Sequence, residues 1–405
     1  MKPIVRAGRM KPVHSDIRGP LFVEAMKRQK QGIDILKLNT GNPATFGFGL
    51  PDSIKNALME HMQDGVGYCD FKGMPQARQA ICDYETSKGI KGITPDDVFI
   101  GNGVSEVVSF ALTPLLNDGD EVLVPSPSYS LWGNSVYLED GKPVFYTCDE
   151  KANWYPDIQD IRSKITDKTK AIVIINPNNP TGVLYPKEIL LEIIQVAREF
   201  GLLIFADEIY DRLVMDGKQH ISLASLTEDV PVITLNGLSK SHCLCGYRCG
   251  WMVISGPREL TEDYRQGIIQ LTSLRLCANT MAQIVIPAAL DDMDTPTSMV
   301  RPGGRIYEQR EATVRELEKI NGLSFVKNDA AFYVFPKLDV KKFNITNDKQ
   351  FAHDLLDATN ILLVPGSGFD WKDPDHFRIV MLPQADILSD AIRRMGTFLD
   401  GYKQK

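Results

Sequence analysis

The chain has 405 residues, too many for one compact core, so two domains of roughly 100–200 residues each are expected. Its composition is that of an ordinary globular protein, 43% hydrophobic and 24% charged, and a net charge of −7 argues against nucleic acid as the main partner. Any anion it binds must be held by local donors, because the overall field repels it.

The first 20 residues carry Arg6, Arg9 and Arg18 but no apolar run, which excludes a secretory signal, and Pro3, Pro12 and Asp16 fit a transit peptide poorly. No stretch approaches the roughly 20 apolar residues of a membrane span. Seven cysteines, an odd number without a signal, read as reduced thiols, so a cytoplasmic location away from membranes is expected.

In chain order, 21–31 reads as a helix stopped by Gly32, followed by a short strand at 35–38 and a break at Thr40-Gly-Asn-Pro43. Ile54, Leu58 and Met62 recur at helical spacing, as do Ala77, Ile81 and Tyr84. From residue 98 strand-like runs follow at 98–100, 121–124, 144–146, 171–175, 202–205, 232–235 and 251–254. Most are separated by helical patterns such as 104–117 and 186–200. That alternation predicts an α/β fold with a mostly parallel, seven-stranded sheet between helices. Helical patterns fill 258–290, and Thr295-Pro296 reads as a hinge. Beyond it a charged helix (307–319), short strands (325–326, 332–335, 362–364, 377–380) and a closing helix predict a smaller α+β domain. The expected division is an N-terminal arm shared with the small domain (1–45), a large domain (46–295) and a small C-terminal domain (296–405).

Open parallel sheets bind ligands beyond the carboxyl ends of their strands. Four polar stretches stand at such ends: Gly101-Asn-Gly-Val-Ser105, Asn176-Pro-Asn-Asn-Pro-Thr-Gly182, Ala206-Asp-Glu-Ile-Tyr210 and Asn236-Gly-Leu-Ser-Lys240. A lone lysine past a strand is ordinarily a surface residue. Together these residues match what pyridoxal phosphate requires: an amine for its aldehyde, an anion beside its ring nitrogen, donors to its phenolic oxygen and a phosphate cradle. Lys240 is the candidate Schiff-base lysine. Asp207 can keep the pyridine nitrogen protonated, and Asn179 and Tyr210 can hydrogen-bond the phenolic oxygen. Gly103, Val104 and Ser105 open a helix whose N–H groups suit a phosphate, and Arg248 adds a forked, permanently charged donor. The Gly101–Ser105 loop lacks a full G-x-G-x-x-G pattern, so a nicotinamide site is not expected.

Through NPNNPTG (176–182), ADEIYD (206–211) and NGLSKSHCLCGYRCGWM (236–252) the sequence resembles fold-type I, class I/II aminotransferases over nearly its whole length. DIRGP (16–20), LNTGNP (38–43), IGNGVSE (100–106), LRLCAN (274–279), PGGRIYEQR (302–310) and DHFRIVMLP (375–383) bring it nearest, within that family, to the bacterial alanine (glutamate–pyruvate) type. The resemblance implies ping-pong transfer of an amino group between L-alanine and 2-oxoglutarate. It implies that Arg378 clamps the substrate α-carboxylate, with Gly41 and Asn179 beside it. Tyr129 would stack on the cofactor ring. Tyr68 would reach the phosphate in the neighbouring subunit, making a homodimer with shared sites. One departure is Gly237, where many relatives carry a phosphate-binding serine, which leaves Ser105 or Ser239 to replace that contact. For the distal carboxylate of glutamate, Arg18 and Arg275 compete.

Cys243, Cys245 and Cys249, with His242, have the spacing C-x-C-x3-C, which matches none of the usual zinc frameworks, so no metal is expected. Arg248 and a phosphate could instead draw one of these thiols toward thiolate and make the loop oxidation-sensitive. Rival functions are an aspartate or aromatic aminotransferase, a C–S β-lyase on the same cofactor, a non-catalytic regulator and a thiol metal-binding protein. Dependence of turnover on a 2-oxo acid separates transaminase from lyase, and bound metal identifies the last. A regulator would need a DNA-binding segment longer than the first 20 residues.

Overall fold

The computed structural model describes residues 2–405; the first residue of the arm expected at 1–45 lies outside the described residues. An eight-stranded sheet forms its centre. The strands are β1 (Val98–Asn102), β2 (Glu121–Ser126), β3 (Lys142–Asp149), β4 (Tyr155–Pro156), β5 (Thr169–Ile175), β6 (Leu203–Asp207), β7 (Val232–Gly237) and β8 (Cys249–Ser255). Their spatial order is β1-β8-β7-β6-β5-β2-β3-β4. β7, β6, β5, β2 and β3 pair in parallel, whereas β8 is antiparallel to both neighbours. The count of seven strands is corrected to eight by β4, a two-residue edge strand antiparallel to β3. Two residues are too few for a hydrophobic period to register.

The strands read as continuous apolar runs because both faces are covered. In β5, Ile172 and Ile174 join one core, with Ile204 and the helix Lys187–Phe200. Ala171, Val173 and Ile175 join the opposite core, with Phe205, Ile233 and the helix Val104–Leu112. Side chains two apart share a face, so one strand feeds both layers. Lys187–Phe200 places Leu190, Ile193, Ile194 and Ala197 on its buried stripe and ends at Gly201, whose φ of +66° suits a C-cap. The helix expected over 104–117 stops at Leu112: Thr113 still has helical dihedrals, but Pro114 has no N–H to donate to Phe110 O and so breaks the run.

The C-terminal part has its own core, including Leu317, Phe351, Leu355, Phe377, Ile379, Leu388 and Ile392. There Phe377–Val380 lies between Tyr333–Val334 and Val364–Pro365, antiparallel to both. The strand expected at 325–326 falls instead at Leu323–Ser324, against Lys337–Leu338. Thr295-Pro296 lies in the first turn of the helix Asp294–Val300, where proline's missing N–H has no intrahelical acceptor to lose. Near the N-terminus, Leu36–Lys37 pairs in parallel with Ile361–Leu362. Val380 N donates to Leu38 O at 3.0 Å, which carries Asn39 to Gly41 alongside the strand that bears Arg378. Among the described residues no helix is long and apolar enough to cross a membrane.

Candidate active site

Strand direction collects the site. β6 ends at Asp207 and β7 at Gly237, while antiparallel β8 begins at Cys249, so Arg248 arrives at the rim where its neighbours finish. β1 leads to Gly103, whose φ of +84° turns the chain into the helix Val104–Leu112. A Cβ on Gly103 would lie 2.3 Å from a guanidinium nitrogen of Arg248, so only glycine lets that side chain lie against the backbone. The first-turn N–H groups of Val104 and Ser105 have no intrahelical acceptor and, with Arg248, make a cradle for a phosphate-like anion. Ser105 is exposed and Ser239 half-buried at the same rim. Gly237 has a packing reason for lacking a side chain: its Cβ would sit 2.5 Å from Cys249 O and 3.1 Å from the Cα of Gly250.

Lys240 follows β7 in the short helix Leu238–Ser241. Its Nζ donates to Gly41 O at 2.8 Å. Burial works against its ammonium form, but Tyr333, Cys245 and Tyr129 favour it and keep the pKa above lysine's ordinary value. Asp207 is buried and accepts from Trp132 Nε1 at 3.1 Å and, at 3.4 Å, from the N–H of Ile209. Burial pushes its carboxyl up to about 6, which makes it a group whose charge awaits a cation. The Tyr210 hydroxyl shares a 2.8 Å hydrogen bond with that of Tyr333, and burial pushes the Tyr210 phenol well above its ordinary pKa. Tyr129 is half-buried and near enough to act on the charges of Lys240 and Arg378.

Arg378 is 2% exposed. Its Nη1 donates to Asn179 Oδ1 at 2.9 Å and its Nη2 to Asn39 O. The guanidinium lies 4.5 Å from the ring centre of Tyr333 and 4.6 Å from that of Phe369. Its Nε has no partner, and among the described residues no carboxylate pairs with it. Gly41 fits because a Cβ there would fall 2.3 Å from the Tyr333 hydroxyl. Asn39 to Gly41 thus joins the two cations, accepting from Arg378 at one end and from Lys240 at the other.

Arg18 is exposed on the turn after Asp16, and Asn39 Nδ2 donates to Ile17 O at 2.9 Å, so the arm abuts the Arg378 end of the site. Arg275 is already engaged by Glu106, by Phe71 O and Ile100 O at 3.2 Å each, and by the Phe110 ring. Tyr68 stands 84% exposed. The thiolate expectation is overturned for Cys243 and Cys249. Both are buried, and burial pushes each thiol up to about 12, outweighing Arg248 beside Cys249. Cys245, half-buried, places its sulfur 4.0 Å from Lys240 Nζ and 3.0 Å from Ser239 O.

Sequence reasoning assigned no role to Asn39, Trp132 or Tyr333, which contact the predicted residues directly. Tyr333 lies in an apolar strand run and Trp132 in a helix, where each reads as core.

The class I and II aminotransferase family matches residues 33–392. The chain is 49% identical over 404 residues to a glutamate-pyruvate aminotransferase of Haemophilus influenzae, covering 100% of both. It is 45% identical to an alanine aminotransferase of Mycobacterium tuberculosis, over 100% of this chain and 94% of that one. An Escherichia coli aminotransferase structure superposes with a TM-score of 0.98 at 46% identity, over 100% of both chains. An alanine aminotransferase from Pyrococcus furiosus gives 0.92 at 41%, over 98% of this chain and 100% of that one. A match of this extent, on a rim assembled as described, shows that the chain belongs to the class I and II aminotransferases.

Proposed function

We propose that this aminotransferase uses pyridoxal phosphate to move the amino group between L-alanine and 2-oxoglutarate, giving pyruvate and L-glutamate. The observation that carries the reading is the buried, carboxylate-free guanidinium of Arg378, linked through Asn39 to Gly41 with the Lys240 amine. Such a cation suits a carboxylate that every α-amino acid shares. The choice of alanine and glutamate rests on the names of the relatives.

The residues fit the cofactor. Asp207, raised by burial, suits a protonated ring nitrogen, and Tyr210 and Asn179 carry polar groups for a phenolic oxygen. The glycine-lined cradle of Gly103, Val104, Ser105, Ser239 and Arg248 suits a phosphate, and Tyr129 suits a ring face. When bound, pyridoxal phosphate supplies an aldehyde that takes the amino group and a ring that draws electrons as the α-proton leaves. Arg378 holds the substrate carboxylate and so turns the α-hydrogen toward Lys240. Lys240 Nζ, once freed from Gly41 O and in its neutral amine form, would accept that proton and later return it. Asp207 holds a proton on the ring nitrogen throughout, with Trp132 fixing its carboxylate. Arg18 is the candidate for the distal carboxylate, since Arg275 is internally paired.

The same reading divides the chain at 45/46 and 295/296 and makes it a cytoplasmic homodimer. Met62, Val66 and Tyr68, and Leu274 and Leu276 at the end of the helix Glu262–Arg275, are exposed, and Thr280 Oγ1 to Gly65 O at 2.6 Å and Arg275 Nη2 to Phe71 O at 3.2 Å bring the two segments together as apolar surface suited to a second copy. Half-reaction spectra with alanine, glutamate, aspartate and tyrosine in turn test the substrates. Alanine and glutamate should each convert the cofactor's absorption to that of its aminated form. Conversion by aspartate or tyrosine but not alanine refutes the assignment, and turnover without any 2-oxo acid points to a lyase.

A further inference from the structure

A buried charge cluster lies against the segment that carries Asp207 and Tyr210. Lys88 Nζ, at the end of the helix Pro75–Ser87, reaches Glu85 and Glu208 at 2.7 Å each and Asp211 at 3.1 Å. Asp211 also accepts from Asn236 Nδ2 at 2.7 Å, and Asn236 Oδ1 accepts from Gly237 N at 2.7 Å. Glu208 accepts from Ser222 Oγ at 2.9 Å and Leu223 N at 3.0 Å. Its second neighbour of basic type, His220, stands at 4.0 Å and is held toward the neutral form by burial. Lys88 is therefore the cation in direct contact with all three side chains, while the Tyr84 hydroxyl donates to Asp211 at 2.5 Å, Arg212 lies near enough to favour its charge, and burial pushes Glu85 toward its neutral form.

We propose that Lys88 is a positioning residue for the active site: by gathering Glu208 and Asp211 it fixes the 207–211 segment against the end of β7. The cluster holds a residue next to Asp207, a residue next to Tyr210, and the asparagine four residues before Lys240. Without Lys88 those carboxylates must protonate, find water or move, and each response displaces the segment that presents Asp207 and Tyr210. A plain stabilising ion pair would change melting temperature alone; a positioning one changes how the rim holds its ligand.

The inference rests on the pyridoxal-phosphate reading above. The test compares the full-length holoenzyme with Lys88→Met and Lys88→Arg. It follows cofactor retention on dialysis by the visible absorption band, together with kcat and KM for alanine and the melting temperature. Lys88→Met should raise the cofactor dissociation constant about tenfold or more and lower kcat with little change in KM, by analogy with outer-shell partners at metal sites. Lys88→Arg, which keeps the charge, should recover most of the loss. Arg265→Met serves as the stability control. It breaks a buried 2.6 Å pair with Asp97 at the opposite end of β1 and should lower melting temperature while leaving retention unchanged. Where Lys88→Met does not fold, Glu208→Gln removes the Lys88–Glu208 pair while leaving those to Glu85 and Asp211, and should show a smaller loss of retention in the same direction. Normal retention and kcat in a folded Lys88→Met or Glu208→Gln overturn the positioning role alone. A wild-type protein that takes up no pyridoxal phosphate overturns the functional reading and this role with it.

Discussion

Arginine at 378 costs the fold something, because a guanidinium taken out of water ordinarily demands a carboxylate. Here two oxygens, Asn179 Oδ1 and Asn39 O, and two aromatic faces stand in for one, and burial lowers its pKa. An arrangement that leaves Nε free and the charge unpaired is paid back only when an anion arrives. Arg378→Lys keeps the charge but loses the planar fork, so KM should rise roughly 10- to 100-fold for alanine and glutamate alike. The cofactor absorption should be unaltered. A rise confined to one amino acid would mean that Arg378 reads a side chain rather than the shared carboxylate. Residues of this kind were legible when polar chemistry stood where the fold places ligands: Lys240, Asp207, Asn179 and Tyr210 each follow an apolar strand. Tyr333 and Trp132 were not, because an aromatic in an apolar run gives the same pattern whether its hydroxyl or indole N–H serves a site or not. The cysteines misled for a related reason: spacing to Arg248 is visible in sequence, but the burial that governs Cys243 and Cys249 is not.

At the scale of elements, Gly237 shows how strand pairing can dictate a site residue. Gly237 faces Gly250 across the β7–β8 pair, and a Cβ would strike backbone rather than a side chain able to swing aside. Gly237→Ser should therefore not restore a phosphate contact. It should destabilise the fold by roughly 1–3 kcal/mol, the usual cost of overpacking, with no tighter cofactor retention. Equal or higher melting temperature and tighter retention would show that the strands part easily. The antiparallel setting of β8 is the part of this argument that no single-sequence pattern announced. All seven apolar runs between 98 and 254 became strands of the central sheet, because two covered faces make such runs unmistakable. Their directions, and the two-residue β4, follow from tertiary pairing and left no periodic trace.

Across the whole molecule, the arm that carries Arg18 is fastened to both halves of the chain. The His14 ring lies 3.1 Å from Asp370 and 3.7 Å from Asp16, while Asp16 also meets Lys349. Its backbone exchanges hydrogen bonds with the side chain of Asn134, and Arg9 pairs with Asp140. Hydrogen bonds to Asp16 and Asp370 raise the His14 pKa from its ordinary 6.5 to about 9. A folded-state pKa above the unfolded value means the attachment contributes fully below about pH 6.5 and is lost as pH rises through about 9. Because His14 is substantially solvated, the effect should be local rather than global. Hydrogen exchange of residues 8–19 should therefore quicken between pH 7 and 10, beyond the intrinsic change, and His14→Gln should show fast exchange with little such dependence. Since Ile17 O holds Asn39, whose carbonyl holds Arg378, the same loosening should raise KM at high pH more than it lowers kcat. Exchange in that segment that follows only the intrinsic rate across this range would place the arm's attachment elsewhere, in the Asn134 and Asp140 contacts.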